Sequence, residues 1–223
     1  SFATFLWDIG LKPSLSVRTI DETVTAAKEN QTIMTNIMEN RLIAGCPDLY
    51  KKLLDDIGPD KIWPSRQFFA AKMVEQAQRH EKYHDTAYNL EPNIKEGPGG
   101  LRDFQVIIWV FKRHYNSATL KELIKNGFLT EFEYNQLFSA QQVLWRIRYA
   151  LHVLNNRSED RLLFERQREL ATQFGFFNES EHFNQDVELF MQFYFKTILD
   201  IQRFNEMLLQ LFNEQFVIGK SKS

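Results

Sequence analysis

The stretch at 101–115, LRDFQVIIWVFKRHY, limits the possible fold more than any other. Leu101, Val106, Ile107, Trp109, Val110 and Phe111 fall on more than one side of a 3.6-residue helix, so this segment must be surrounded by other elements. Its surroundings also read as helices, each with start and stop residues. Asp21 is placed to cap a helix over 22–29, and a second runs over 31–44, with Ile33, Met34, Ile37 and Met38 on its apolar face and Gly45 and Pro47 behind it. A short helix at 48–57 stops at Gly58-Pro59, and Ser65 opens a long one over 66–86. After 101–115 come a small helix at 119–126 and a helix from the Thr130/Glu133 capping box to Asn155. Helices over 160–174 and 181–216 follow, and 217–223 reads as a frayed tail. Only LSVRTI at 15–20 reads as a strand, and a lone strand leaves both edges unpaired. The expectation is therefore an all-α antiparallel bundle of long helices. An N-terminal remnant, one strand with helices, would belong to a larger protein.

Composition narrows the function. Twenty Phe suggest thick helix–helix packing, and a net charge of −2 gives no basic field for nucleic acid. One cysteine, Cys46, excludes an internal disulfide framework and fits a reducing cytoplasm, and no apolar run is long enough to span a bilayer.

Few local motifs suggest chemistry. HEKYH at 80–84 matches the H-E-x-x-H zinc-protease pattern, but its surroundings, RHEKYHD, read as a solvated face. No nucleophile elbow and no G-x-x-x-x-G-K-(S/T) phosphate loop occurs. Arg146, Arg148, Arg157 and Arg161 lie close to Glu159, Asp160 and Glu165, a pattern that favours internal ion pairing.

EPNIKEGPGGLRD at 91–103 is richer. Gly97, Gly99 and Gly100 permit unusual backbone angles, and the helix beginning near Leu101 would turn its first N–H groups toward the loop. Lys95 and Arg102 add positive charge suited to a phosphate, and Asp103 is placed to serve the helix dipole or to hold one of those cations. On local chemistry alone, a plain helix–loop–helix turn with self-paired charges explains the stretch better.

Four stretches, LWDIGLKPSLSVRTIDE (6–22), TNIMENRLIAG (35–45), AYNLEPNIKEGPGGLRDFQ (87–105) and RSEDRLLFERQRELA (157–171), occur in an order that resembles the bacterial PII-protein uridylyltransferase/uridylyl-removing enzymes. Glutamine synthetase adenylyltransferase is similar around the K-x-G-x-G-G-(L/I)-R-(D/E) element. The resemblance implies that 1–45 ends a nucleotidyltransferase domain and that 46–216 is the helical domain associated with it. It also implies transfer of UMP from UTP, with Mg2+, to a tyrosine of the PII protein, under glutamine control exerted through domains outside this sequence. The family's Gly-Ser segment and metal-binding Asp-x-Asp pair are absent here, and Ser16 stands where the adenylyltransferase has a carboxylate. The chain alone is thus expected to be inert, with no catalytic or metal-binding residue of its own. Ser14-Leu15 replace the family's usual Gly-His, and Asn30 replaces an Asp, while Arg18 and Arg41 match. The residues implied for nucleotide binding or a domain interface are Arg18, Arg41, Lys95, Gly97, Gly99, Gly100, Arg102 and Asp103, with Asp103 fixing Arg102 and the loop facing solvent in this chain. An interaction module docking PII or neighbouring domains is the alternative reading.

Overall fold

The computed structural model describes residues 2–11, 13–83, 89–116, 121–176 and 185–218. Their regular structure is all helical, and among them there is no strand: the only bridge is an isolated antiparallel pair, Asn93 with Arg161. The expected strand at 15–20 is therefore corrected. Residues 14–19 have no regular structure and no ladder partner, Val17 is fully exposed, and Ile20 already belongs to a helix. A capping box fixes that start: Thr19 Oγ1 accepts from Glu22 N at 3.2 Å, and Glu22 Oε2 accepts from Thr19 N at 2.8 Å.

The chain divides into two compact units, Ser1–Trp63 and Pro64–Ser223. In the first, α1 (Phe2–Asp8) buries no residue, and α2 (Ile20–Glu29) packs on α3 (Gln31–Met38) and α4 (Pro47–Asp56). The expected extension of α3 to residue 44 fails. After Met38 the chain turns, Asn40 Oδ1 accepts from the Tyr50 hydroxyl at 2.8 Å, and Gly45 takes a φ of +123°. Ala27 and Met34 are fully buried, and Trp63 Nε1 donates to the Ala27 carbonyl at 2.7 Å.

In the second unit α5 (Ser65–Lys82) packs on α6 (Leu101–Tyr115). After α7 (Lys121–Lys125) come α8 (Glu131–Asn155), α9 (Phe164–Gln173) and α10 (Gln185–Phe212), the last passing into a π-helical turn at Asn213–Ile218. α10 packs on α6, α8 and α9, which lets it carry much of the core: Phe190, Tyr194, Ile198, Ile201, Phe204, Leu208 and Phe212 are all buried. Phe212 meets the rings of Phe69, Phe111 and Phe216 at centroid separations of 5.0, 5.3 and 5.1 Å, which accounts for part of the large Phe content.

α6 is central, as its pattern requires. Nine of its fifteen residues are buried, Lys112, Arg113 and His114 close its negative end, and Asn116 ends it in the left-handed region. The Thr130/Glu133 capping box opens α8 as expected. Ser65, by contrast, does not cap α5: it is the first helical residue, and its Oγ lies 2.8 Å from His114 Nδ1. The expected starts at 119 and 181 and most of the tail fall outside the described residues. Among the described residues no helix is long and apolar enough to cross a membrane.

Candidate functional site

The loop before α6 is folded on itself. Asn93 Oδ1 accepts from Lys95 N at 3.1 Å and from Glu96 N at 2.7 Å, forming an Asx turn. Gly97 N then donates to Asn93 O at 3.0 Å and Gly100 N to Gly97 O at 2.9 Å. Leu101 N and Arg102 N, at the start of α6, donate to Ile94 O at 3.0 Å and Lys95 O at 2.8 Å. The N–H groups expected to be available to a phosphate are thus consumed by the loop's own carbonyls. The expectation that the loop faces solvent also fails: Pro92, Ile94 and Gly97–Gly100 are buried. Gly99 has φ +71° and lies against α10, where an added Cβ would stand 2.3 Å from the Ile198 carbonyl oxygen. The cavity bordered by Asn93, Gly97, Pro98 and Tyr194 measures about 10 Å³, room for one water at most.

Asp103 is fully buried and does not hold Arg102. Its carboxylate pairs with Arg79 Nη2, approaches His80 Nε2 at 2.9 and 3.0 Å, and accepts from Gly99 N at 2.7 Å. Its carbonyl accepts from Asn205 Nδ2 at 2.9 Å, and Arg79 Nη1 donates to the Glu96 carbonyl at 2.9 Å. Asp103 therefore ties α5, the glycine loop and α10 together. Burial pushes its pKa up, but the His80 hydrogen bond and the positive charges of Arg79 and His80 outweigh burial and hold it below the ordinary carboxylate value. His80, first of the H-E-x-x-H pattern, spends Nε2 on this carboxylate, and His84 lies outside the described residues. Among the described residues no three His, Cys, Asp or Glu side chains gather as a metal site.

Arg102 is held by other groups. Its Nε and Nη2 reach Glu96 at 3.4 and 3.1 Å, its Nη1 donates to Gln105 Oε1 at 2.9 Å, and its guanidinium lies 5.4 Å from the Trp109 ring centre. Lys95 Nζ stands 3.3 Å from Glu96 Oε1 and 4.0 Å from Asp160 Oδ2. Both cations keep part of their side chains exposed, 32 % for Lys95 and 25 % for Arg102, so they are the groups here that an outside anion can reach. Burial raises the pKa of Glu96, but its hydrogen bond and ion pair with Arg102 and the Lys95 charge bring it below normal.

Sequence reasoning missed the bond between the two most family-like stretches. Ile94 N donates to Asp160 O at 2.8 Å and Leu162 N to Pro92 O at 2.9 Å, so RSEDR lies along the glycine loop. This pairing delays α9 to Phe164, four residues after the expected start, because Asp160–Leu162 are spent on the loop. Asp160 Oδ1 also receives Arg148 Nε at 2.6 Å and His152 Nε2 at 3.0 Å. Of the expected ion pairs, Arg148–Asp160 and Arg157–Glu159 form, whereas Arg161 pairs with Glu91 and Arg146 lies over the Phe174 ring. The second unit thus brings together Lys95, Gly97, Gly99, Gly100, Arg102 and Asp103. Arg18 and Arg41 belong to the first unit, where both are exposed.

Comparison with known proteins matches residues 67–209 to the family model of GlnD PII-uridylyltransferase. The chain is 54 % identical over 213 residues to a bifunctional uridylyltransferase/uridylyl-removing enzyme of Methylococcus capsulatus, covering 96 % of this chain and 24 % of the relative. It is 49 % identical over 221 residues to the enzyme of that name from Nitrosococcus oceani, covering 99 % and 25 % of the two chains. Against that of Pseudomonas fluorescens it is 48 % identical over 213 residues, covering 96 % and 23 %. The chain spans about a quarter of the length of these relatives. No solved structure matches. With the match covering the α5–α10 unit and the identity running along almost its full length, the chain belongs to the GlnD PII-uridylyltransferase family.

Proposed function

We propose that this chain is the helical part, with the end of a nucleotidyltransferase domain before it, of an enzyme that transfers UMP from UTP to a tyrosine of PII and removes it again under glutamine control. The observation that carries this reading is the near full-length identity to relatives named for both activities. On this reading 1–45 closes the nucleotidyltransferase domain, and 46–216 forms an antiparallel helical bundle that follows it in the chain. Transfer to a hydroxyl needs divalent metal held by carboxylates at the triphosphate. Those ligands belong to the part of the enzyme outside this sequence, and the 223 residues alone do not catalyse transfer.

Lys95 and Arg102 act on the triphosphate through their side chains. The loop backbone contributes shape rather than donors, because its N–H groups are already bonded. Gly97, Gly99, Gly100 and Asp103 hold the loop in place, and Arg18 and Arg41 belong to the nucleotide side of the enzyme. In the full-length enzyme carrying this sequence, Lys95→Ala and Arg102→Ala each raise the Mg-UTP KM by about tenfold, the loss of one charge-assisted contact. Unchanged UTP affinity and turnover in both variants would show that the two cations brace the protein instead.

A further inference from the structure

Lys95 is one of the two cations assigned to the triphosphate, and its ammonium lies between two carboxylates that differ in kind. Glu96, at 3.3 Å, is shared with Arg102 and sits on the same loop. Asp160, at 4.0 Å, comes from the segment after α8 and also pairs with Arg148 and His152 of that helix. Asp160 is anchored firmly. Arg148 and His152, one turn apart on α8, both reach its Oδ1, while Oδ2 is the oxygen nearest Lys95. Its backbone carbonyl accepts from Ile94 N, adjacent to Lys95 in sequence. That bond does not depend on the side chain, so the carboxylate can be altered while the loop stays clamped.

We propose that Asp160 is a positioning residue for the triphosphate site: anchored by Arg148 and His152, it holds the Lys95 ammonium where a phosphate oxygen meets it. A flexible lysine gains most from such a support, because the unsupported side chain must lose rotamer freedom on binding. The inference rests on the reading of Lys95 given above, and the two are separable by experiment.

The test uses the full-length enzyme carrying this sequence, with Mg-UTP as probe. Lys95→Met reports whether Lys95 meets UTP at all. Asp160→Asn keeps the size of the side chain and removes its charge. Positioning predicts an Mg-UTP KM raised about fivefold, kcat altered by less than about twofold, and no further increase when Lys95 is already Met. A carboxylate acting only through its field gives the opposite sign, since removing negative charge beside a polyanion lowers KM. Arg148→Gln keeps the Asp160 carboxylate but removes one of its two anchors, and it raises KM in the same direction even if Asp160→Asn fails to fold. Unchanged KM in Lys95→Met overturns the reading of Lys95 and this inference with it. A raised KM in Lys95→Met, with KM unchanged or lowered in Asp160→Asn and Arg148→Gln, overturns the positioning role alone. An Asp160→Asn effect that persists in full on the Lys95→Met background does the same.

Discussion

Gly99 marks how closely the loop and α10 approach. A methyl group there meets the Ile198 carbonyl oxygen at 2.3 Å in a backbone conformation that side chains rarely adopt. Gly99→Ala should cost about 3 kcal/mol, combining overpacking with backbone strain, and urea unfolding measures it. Asp103 makes a second prediction. With no exposed surface and pairs to Arg79 and His80, its replacement by Asn leaves a buried guanidinium without its counter-ion. The expected loss is about 3 kcal/mol or more. The pH dependence follows from the direction of its shift: its folded pKa is depressed, so its contribution is complete above the ordinary carboxylate value of about 4 and disappears as pH falls through the lower folded value. Stability of the unaltered protein should therefore fall more steeply than that of Asp103→Asn in acid, as seen in unfolding midpoints between about pH 5 and pH 2. Motif and charge pick out Lys95, Arg102 and Asp103 from the sequence, but not their partners. Arg79 and His80 stand 24 and 23 residues before Asp103, and only the packing of α5 on α6 brings them to it.

Among the elements, helix starts were legible where the chemistry is local. T-x-x-E at Thr130 marks α8 without ambiguity, and Thr130→Ala should cost about 1 kcal/mol, read from the urea midpoint. The same pattern at Thr19–Glu22 was masked by Asp21 and by the β-branched residues before it, which read as a strand. A strand needs a neighbour, and periodicity cannot supply one. The start of α9 was hidden for a related reason. Asp160–Leu162 have helix-compatible residues but give their backbone groups to the glycine loop, a pairing across 66 to 70 residues that no local rule detects. The loop itself is expected to face solvent because the resemblance puts most of the neighbouring domain outside this sequence, with no account taken of its glycines. Here they permit burial, since each glycine lets a carbonyl or a helix come close.

For the whole molecule, the all-α class followed from the helical period of nearly every segment, and the family from four stretches in order. The division after Trp63 has a direct consequence. Residues 64–223 contain the α5–α10 core and should unfold cooperatively when expressed alone, which calorimetry of that fragment checks. A broad, non-cooperative transition would mean that the first unit is required for the second to fold. The relatives named for the two activities are about four times this length. The most direct test of the account incubates PII and labelled Mg-UTP with either the full-length enzyme carrying this sequence or the 223-residue chain. Labelled UMP is expected on a PII tyrosine with the full-length enzyme, and none with the chain alone. A full-length enzyme that leaves PII unlabelled, or a 223-residue chain that labels it, would contradict the account.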